Sequence, residues 1–352
     1  MIAGTEINTL VKNILNEKAS KRDYIAETST LKLTDGGRLV VPLRGRTMEL
    51  ETTDLCLRQI GDRVGIPSKY VERMRVAAPE LLARNVNHWF AAQPEKRMVR
   101  ALTTSLTEGK ARAFLSERFR PLDNVDIAAH VLPRLSDAQC EVKSAQVTDT
   151  RLYIQAVLPK MQATIAKVGD VVQSGVVISN SEVGCGSLWI EHMVYTLRCT
   201  NGMIASNVVK RAHVGGKRGG DIDSDEAREY FSDATRQADD RAFWLKVQDL
   251  TRHALSQDMF DSVVANLNKT AAVEIAHPTE ALEIVAEQFS LRDSESEAIL
   301  KHYVSGGMNT QYGLLNAVTR TAEDLTNYDR AIELERIGGE IMVMKPSEFS
   351  RN

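Results

Sequence analysis

The sequence predicts an α+β fold, an antiparallel sheet with flanking helices up to about residue 220 followed by an α-helical C-terminal region. Strand-like alternation fills much of residues 98–204, and helical spacing takes over from Asp223. Charge also changes sign between the two parts. Residues 221–352 hold 13 Lys+Arg against 25 Asp+Glu, a net of −12. Subtracting these from the totals of 44 and 47 leaves 31 against 22, a net of +9, in residues 1–220. The organisation expected is an N-terminal lead-in over 1–50, a basic α+β domain over 51–220 and an acidic helical domain over 221–352.

The elements can be taken in order. Leu55, Ile60 and Val64 recur near helical spacing until Ile66-Pro67 stops them. A second helix starts at Pro79, a favoured first-turn residue, and carries Leu82, Val86, Trp89 and Phe90 on an apolar face, with Trp89 read as core. Residues 98–106 and 111–119, joined by TEGK, read as a β-hairpin, and Asn124 then caps a helix in NVDIAAHVL. Residues 141–178 supply further strands with turns at Asp149 and Gly169-Asp170. Asn201-Gly202 between two β-rich runs has the composition of a tight hairpin turn, because both residues tolerate positive φ. Past the basic, glycine-rich KRAHVGGKRGGD (210–221), Asp223 and Ser224 open a long helix running to about Leu255. Ser294 with Glu297 forms a capping box, Gly306-Gly307 ends that helix, and Asn309 or Thr310 starts the next.

Several functional classes are excluded by pattern. No run approaches the roughly 18 apolar residues of a spanning helix. MIAGTEINTLVKNIL lacks the layout of a secretory signal. Cys56, Cys140, Cys185 and Cys199 include no CxxC pair and suit reduced thiols, so a cytoplasmic protein with no membrane association is expected. Gly184-Cys185-Gly186 is only GxG and precedes a strand, so no helix N-terminus is placed to hold a pyrophosphate. GGKRGG at 215–220 lacks Walker A spacing, and neither GxSxG nor HExxH occurs.

Two constellations remain. Cys185, His192, Cys199 and His213 with Glu182 are metal-ligand types, but donors seven apart on a strand point to opposite faces, and buried thiols with a satisfied histidine are the preferred explanation. No metal, cofactor or catalytic residue is therefore assigned, and an enzyme is less expected than a binder. The basic elements are richer. Residues 84–120 contain eight basic residues, Arg100 among them, against three acidic ones, and residues 198–220 contain five against none. In the strand 111–119 and just beyond, Arg112, Phe114, Arg118 and Arg120 fall on even positions of one face. Guanidinium groups there would meet phosphates and Phe114 would stack on a base. The other reading places Phe114 under a covering helix and pairs the arginines with the acidic C-terminal third.

RAFLSERFRPLDN (112–124), VVISNSEVGCGSLWIEHMVYTLRCTNGM (176–203) and GGMNTQYGLLNAVTRTAEDLTNYDRAIELERIGGEIM (306–342) together resemble the phage/plasmid-like protein family known as domain of unknown function 932, over about residues 50–345. The resemblance implies a setting in the DNA metabolism of a mobile element and supplies no catalytic residue. The function expected is sequence-tolerant binding of single-stranded nucleic acid, extending to annealing and recombination, with single-stranded DNA as the partner. Arg100, Arg112, Phe114, Arg118, Arg120, Lys210, Arg211, Lys217 and Arg218 would form its surface. The alternatives are a protein-interaction module using the C-terminal helices on a host or replication partner, and a metal-dependent nucleic-acid enzyme using Glu182 and His192. A homo-oligomer is compatible with each.

Overall fold

Strict alternation in RTMELET, where Met48, Leu50 and Thr52 point inward, is the local rule by which the first sheet is built. The computed structural model describes residues 1–198, 200–205 and 232–351. Helix α1 (Ile7–Ser20) leads into β1 (Lys21–Glu27), β2 (Lys32–Leu33), β3 (Arg38–Leu43) and β4 (Arg46–Thr52). Helices α2 (Asp54–Arg63), α3 (Ser68–Ala77) and α4 (Pro79–Ala92) follow, then the hairpin β5 (Lys96–Thr103) and β6 (Glu108–Ser116). These strands form one sheet in the order β1-β5-β6-β4-β3-β2, antiparallel except for β4 against β6. Helices α2, α3 and α4 cover one of its faces through Cys56, Ile60, Val71, Val86 and Phe90. The residues expected to be a lead-in thus supply four strands of this sheet.

A second sheet is wholly antiparallel. After α5 (Asn124–Asp137) come β7 (Glu141–Val147), β8 (Leu152–Ile165), β9 (Asp170–Asn180), β10 (Trp189–Thr196) and β11 (Gly202–Ile204), in the order β11-β10-β9-β8-β7. Both faces are covered, which is why β9 is almost continuously buried. Ile154, Ala156, Val176 and Ile178 face α1, α5 and α6 (Asp233–Ala254). Tyr153, Val157, Val177 and Met193 face a helical layer of α7 (Gln257–Thr270), α8 (Pro278–Gln288), α9 (Asp293–Gly306), α10 (Gln311–Thr321) and α11 (Tyr328–Val343). The C-terminal helices therefore share a core with the second sheet. The boundary expected near residue 221 lies outside the described residues.

Local signals explain several ends. Thr53 caps α2 by accepting from the Cys56 amide at 3.0 Å, and Pro79 opens α4. Gly307 adopts φ 65° at the end of α9, and Thr310 caps α10 by accepting from the Gly313 amide at 3.1 Å. At α9 the cap is shifted from the expected pair: Glu295, not Glu297, reaches back to the Arg292 amide at 2.9 Å. Gly339 lets α11 lie on β11, since a Cβ there would stand 2.0 Å from the Ile204 carbonyl oxygen. No helix among the described residues is long and apolar enough to cross a membrane.

The turn expected at Asn201-Gly202 is not formed there. Gly202 belongs to β11 opposite Tyr195, without positive φ, and the positive φ falls two residues earlier, at Thr200, with φ 53°. Asn201 is instead buried, donating from Nδ2 to Thr319 Oγ1 on α10. A polar partner on a distant helix outweighs the local turn preference of the Asn-Gly pair.

Candidate nucleic-acid interface

The two sheets meet at a seam of ions. Glu182 lies in the loop leaving β9, with its side chain 1% exposed. It accepts from Lys21 Nζ at 2.6 Å, from the Asn124 amide at 3.0 Å and from the Arg112 guanidinium. Burial alone would raise this carboxyl, but the charges of Arg112 and Lys21 and the hydrogen bonds reverse that and hold it at about 2. Arg100 donates to the Glu182 backbone oxygen at 2.8 Å, to Asp23 at 2.9 Å and to Asp123 at 2.7 Å. Each buried cation is paired, as the cost of an isolated buried charge requires.

This settles the place of three residues expected on the surface. Arg100 and Arg112 are interior, and Phe114 is 3% exposed, stacked on Phe90 of α4 at 5.6 Å between ring centroids. The parity argument failed at a bulge. Arg100 pairs with Ala113 while Ala101 pairs with Ala111, so Arg112 is the extra residue of β6. Arg112 therefore points to the seam and Phe114 to the helical layer. In this conformation the ring is covered by the α4 helix and offers no stacking surface. Arg100 and Arg112 pair with Asp23, Asp123 and Glu182 of the front half, not with the C-terminal third.

The other expected residues divide. Arg118 and Arg120 are exposed, in the loop following β6. Lys210, Arg211, Lys217 and Arg218 lie outside the described residues, as do Cys199 and His213. Among the described residues no group of three His, Cys, Asp or Glu is set to hold a metal ion. Glu182 is committed to the seam. His192 is fully buried, its Nδ1 2.7 Å from the Ala254 carbonyl oxygen, and burial pushes it down to about 4. It is a core histidine.

Topology gathers further groups around Arg118. Ser116 pairs with Arg97, so the loop carrying Arg118 leaves the sheet beside the start of β5, where Lys96 is exposed. The last turn of α4 ends four residues upstream of Lys96, at Ala92, and it carries Trp89, 37% exposed, with His88 edge-on at 5.2 Å. Trp89, read as core from its spacing, is thus at the margin of the apolar face, while its neighbour Phe90 is buried. Glu95 binds both Arg63 and Arg97, and the Arg63 hydrogen bond foremost holds its carboxyl below the usual range. Two guanidiniums against one carboxylate leave an excess positive charge at this end of the sheet.

The family model of the domain of unknown function DUF932 matches residues 112–334, more than half of the chain. The chain belongs to this family. The DUF932 match is narrower than the resemblance read from the sequence, opening at Arg112 inside β6. It takes in Glu182, the whole second sheet and most of the C-terminal helical layer, and leaves α1 to α4 and β1 to β5 before it. No curated protein and no solved structure matches the chain.

Proposed function

We propose that this DUF932 protein binds single-stranded nucleic acid without sequence preference, at the end of the first sheet from which the loop 117–123 emerges. The observation that carries the reading is the exposure of Arg118 and Arg120 on the loop that leaves the sheet beside Lys96 and Arg97, with the partly exposed Trp89 on the helix that leads into β5. Guanidinium and ammonium groups neutralise phosphates of any sequence, and an indole face stacks on any base. Such a surface gives sequence tolerance because neither contact reads a base edge. The resemblance to phage- and plasmid-like proteins supports a role in the DNA metabolism of a mobile element, with single-stranded DNA as ligand.

The test is fluorescence anisotropy of a labelled oligothymidylate titrated with the full chain at several salt concentrations. Single-strand binding through about three or four phosphates predicts a log–log salt slope near −2 to −3. Failure to bind single strands at low salt, with the protein folded by circular dichroism, would remove the proposal.

A further inference from the structure

At the other end of the β5–β6 hairpin, α1, the two strand ends and the turn joining β7 to β8 enclose a half-open cavity of about 260 Å³. It lies about 20 Å along the strands from the Arg118 loop, at roughly 3.4 Å per residue, so it is a separate feature from the proposed nucleic-acid surface. Its volume falls below the roughly 300–1,000 Å³ of drug-sized ligand pockets, so only a small ligand would fit.

Its lining carries charges of both signs on one cavity. Arg112 is the buried cation, with a side chain 9% exposed; among the described residues the hydrogen bond it makes runs from Nη1 to Glu182, leaving its Nε and Nη2 donors uncommitted there. Lys110 is the second cation, at the rim. The acids are Glu17, 3.9 Å from Arg112 Nη1, and Asp149, 3.8 Å from Lys110 Nζ. Both separations exceed hydrogen-bonding distance, so each pair has room to exchange its partner for a ligand group. Leu10, Ile14 and Leu102 form an apolar wall.

Two cations balanced by two acids, with Glu182 already drawing on Arg112, provide no excess positive charge for a phosphate dianion. A zwitterion matches the balance. We infer that this cavity binds a free amino acid with an apolar side chain, its α-carboxylate on Arg112 and Lys110, its α-ammonium on Glu17 and Asp149, and its side chain against Leu10, Ile14 and Leu102. Arginine suits the first role because its planar fork meets a carboxylate through two parallel hydrogen bonds.

The experiment is saturation-transfer NMR and calorimetry on the full chain with L-leucine, L-methionine and L-phenylalanine. Leucinamide, lacking the carboxylate, and isocaproate, lacking the ammonium, are the controls. The expected result is binding of at least one amino acid in the millimolar range or tighter, with its control analogues about tenfold weaker. Because Arg112 also holds Glu182, its replacement risks the fold; Lys110→Met and Asp149→Asn at the exposed rim are the variants to use. Each should keep the wild-type melting temperature and weaken the amino acid about tenfold, a change well outside calorimetric error. No binding of any of the three amino acids at about 10 mM by folded protein, equal binding of leucine and isocaproate, or unaltered affinity in both rim variants would overturn the assignment.

Discussion

Glu182 and Glu335 are both buried carboxyls, yet the seam between the sheets and the interior beneath α11 treat them in opposite ways. Glu182 is surrounded by Arg112, Lys21 and the Asn124 amide and is held at about 2. Glu335 is fully buried, accepts from Gln155 Nε2 at 2.5 Å, and among the described residues has no partner for Oε1. Burial, with too little opposing charge, pushes it up to about 7. One region keeps its acid ionised by building cations around it; the other holds its acid protonated until pH approaches neutrality. The signs of pH dependence follow. The lowered Glu182 contributes stability that is present above its ordinary value of about 4.5 and lost as pH falls toward 2. The raised Glu335 contributes stability that is full below about 4.5 and lost as pH rises through about 7. His192, lowered from 6.5 to about 4, adds stability that disappears as pH falls through that window.

The comparison is broken most forcefully at the seam. Glu182→Ala strands Arg112 and Lys21 in the interior and is expected to cost about 3 to 5 kcal/mol, read by urea unfolding at pH 7. A loss under about 1 kcal/mol would mean that the cations find water or other acids, and the seam would not be a closed network. Beneath α11 the opposite sign is expected. Glu335→Gln replaces a reluctant acid by a permanently neutral group, so it should stabilise by about 2 to 3 kcal/mol at pH 8 and have little effect at pH 5. Equal effects at both pH values would show that Glu335 is not titrating in the folded protein. A smaller effect sharpens the geometry of the same pocket. A Cβ on Gly202 would stand 3.4 Å from both Glu335 Oε1 and Met193 Sδ, so Gly202→Val should cost about 1 to 3 kcal/mol by crowding the carboxyl. An unchanged thermal melt would contradict the tight packing of β11 on α11.

Much of the fold was legible from local pattern. The β5–β6 hairpin, the strands of 141–178, α4 from Pro79 and the Gly307 and Thr310 caps all follow from alternation, a first-turn proline and capping chemistry. The strands of residues 21–52 were less visible, because Pro42 and Gly36-Gly37 interrupt them, although the alternation in Arg46–Thr52 was a usable signal. The site was far less legible. Arg100 and Arg112 read as surface charge because their counter-ions are distant in sequence, Glu182 lying 70 residues from Arg112 and Asp23 lying 77 from Arg100. The bulge at Arg112 shifts the parity of β6 without any local marker, and it sent the arginine and Phe114 to opposite faces. Helical spacing placed Trp89 and Phe90 together, and only packing against Phe114 separates the buried ring from the exposed one.

The functional account turns on which cations are structural and which reach a ligand, and one measurement compares them directly. Arg118→Ser combined with Arg120→Ser removes two exposed charges, and single-strand affinity is followed by anisotropy against salt alongside the thermal melt. The melt is the control that the double variant remains folded. The log–log salt slope should become shallower by about 1.4, two contacts at roughly 0.7 each. A folded double variant that binds single strands with the wild-type affinity and slope would contradict the account.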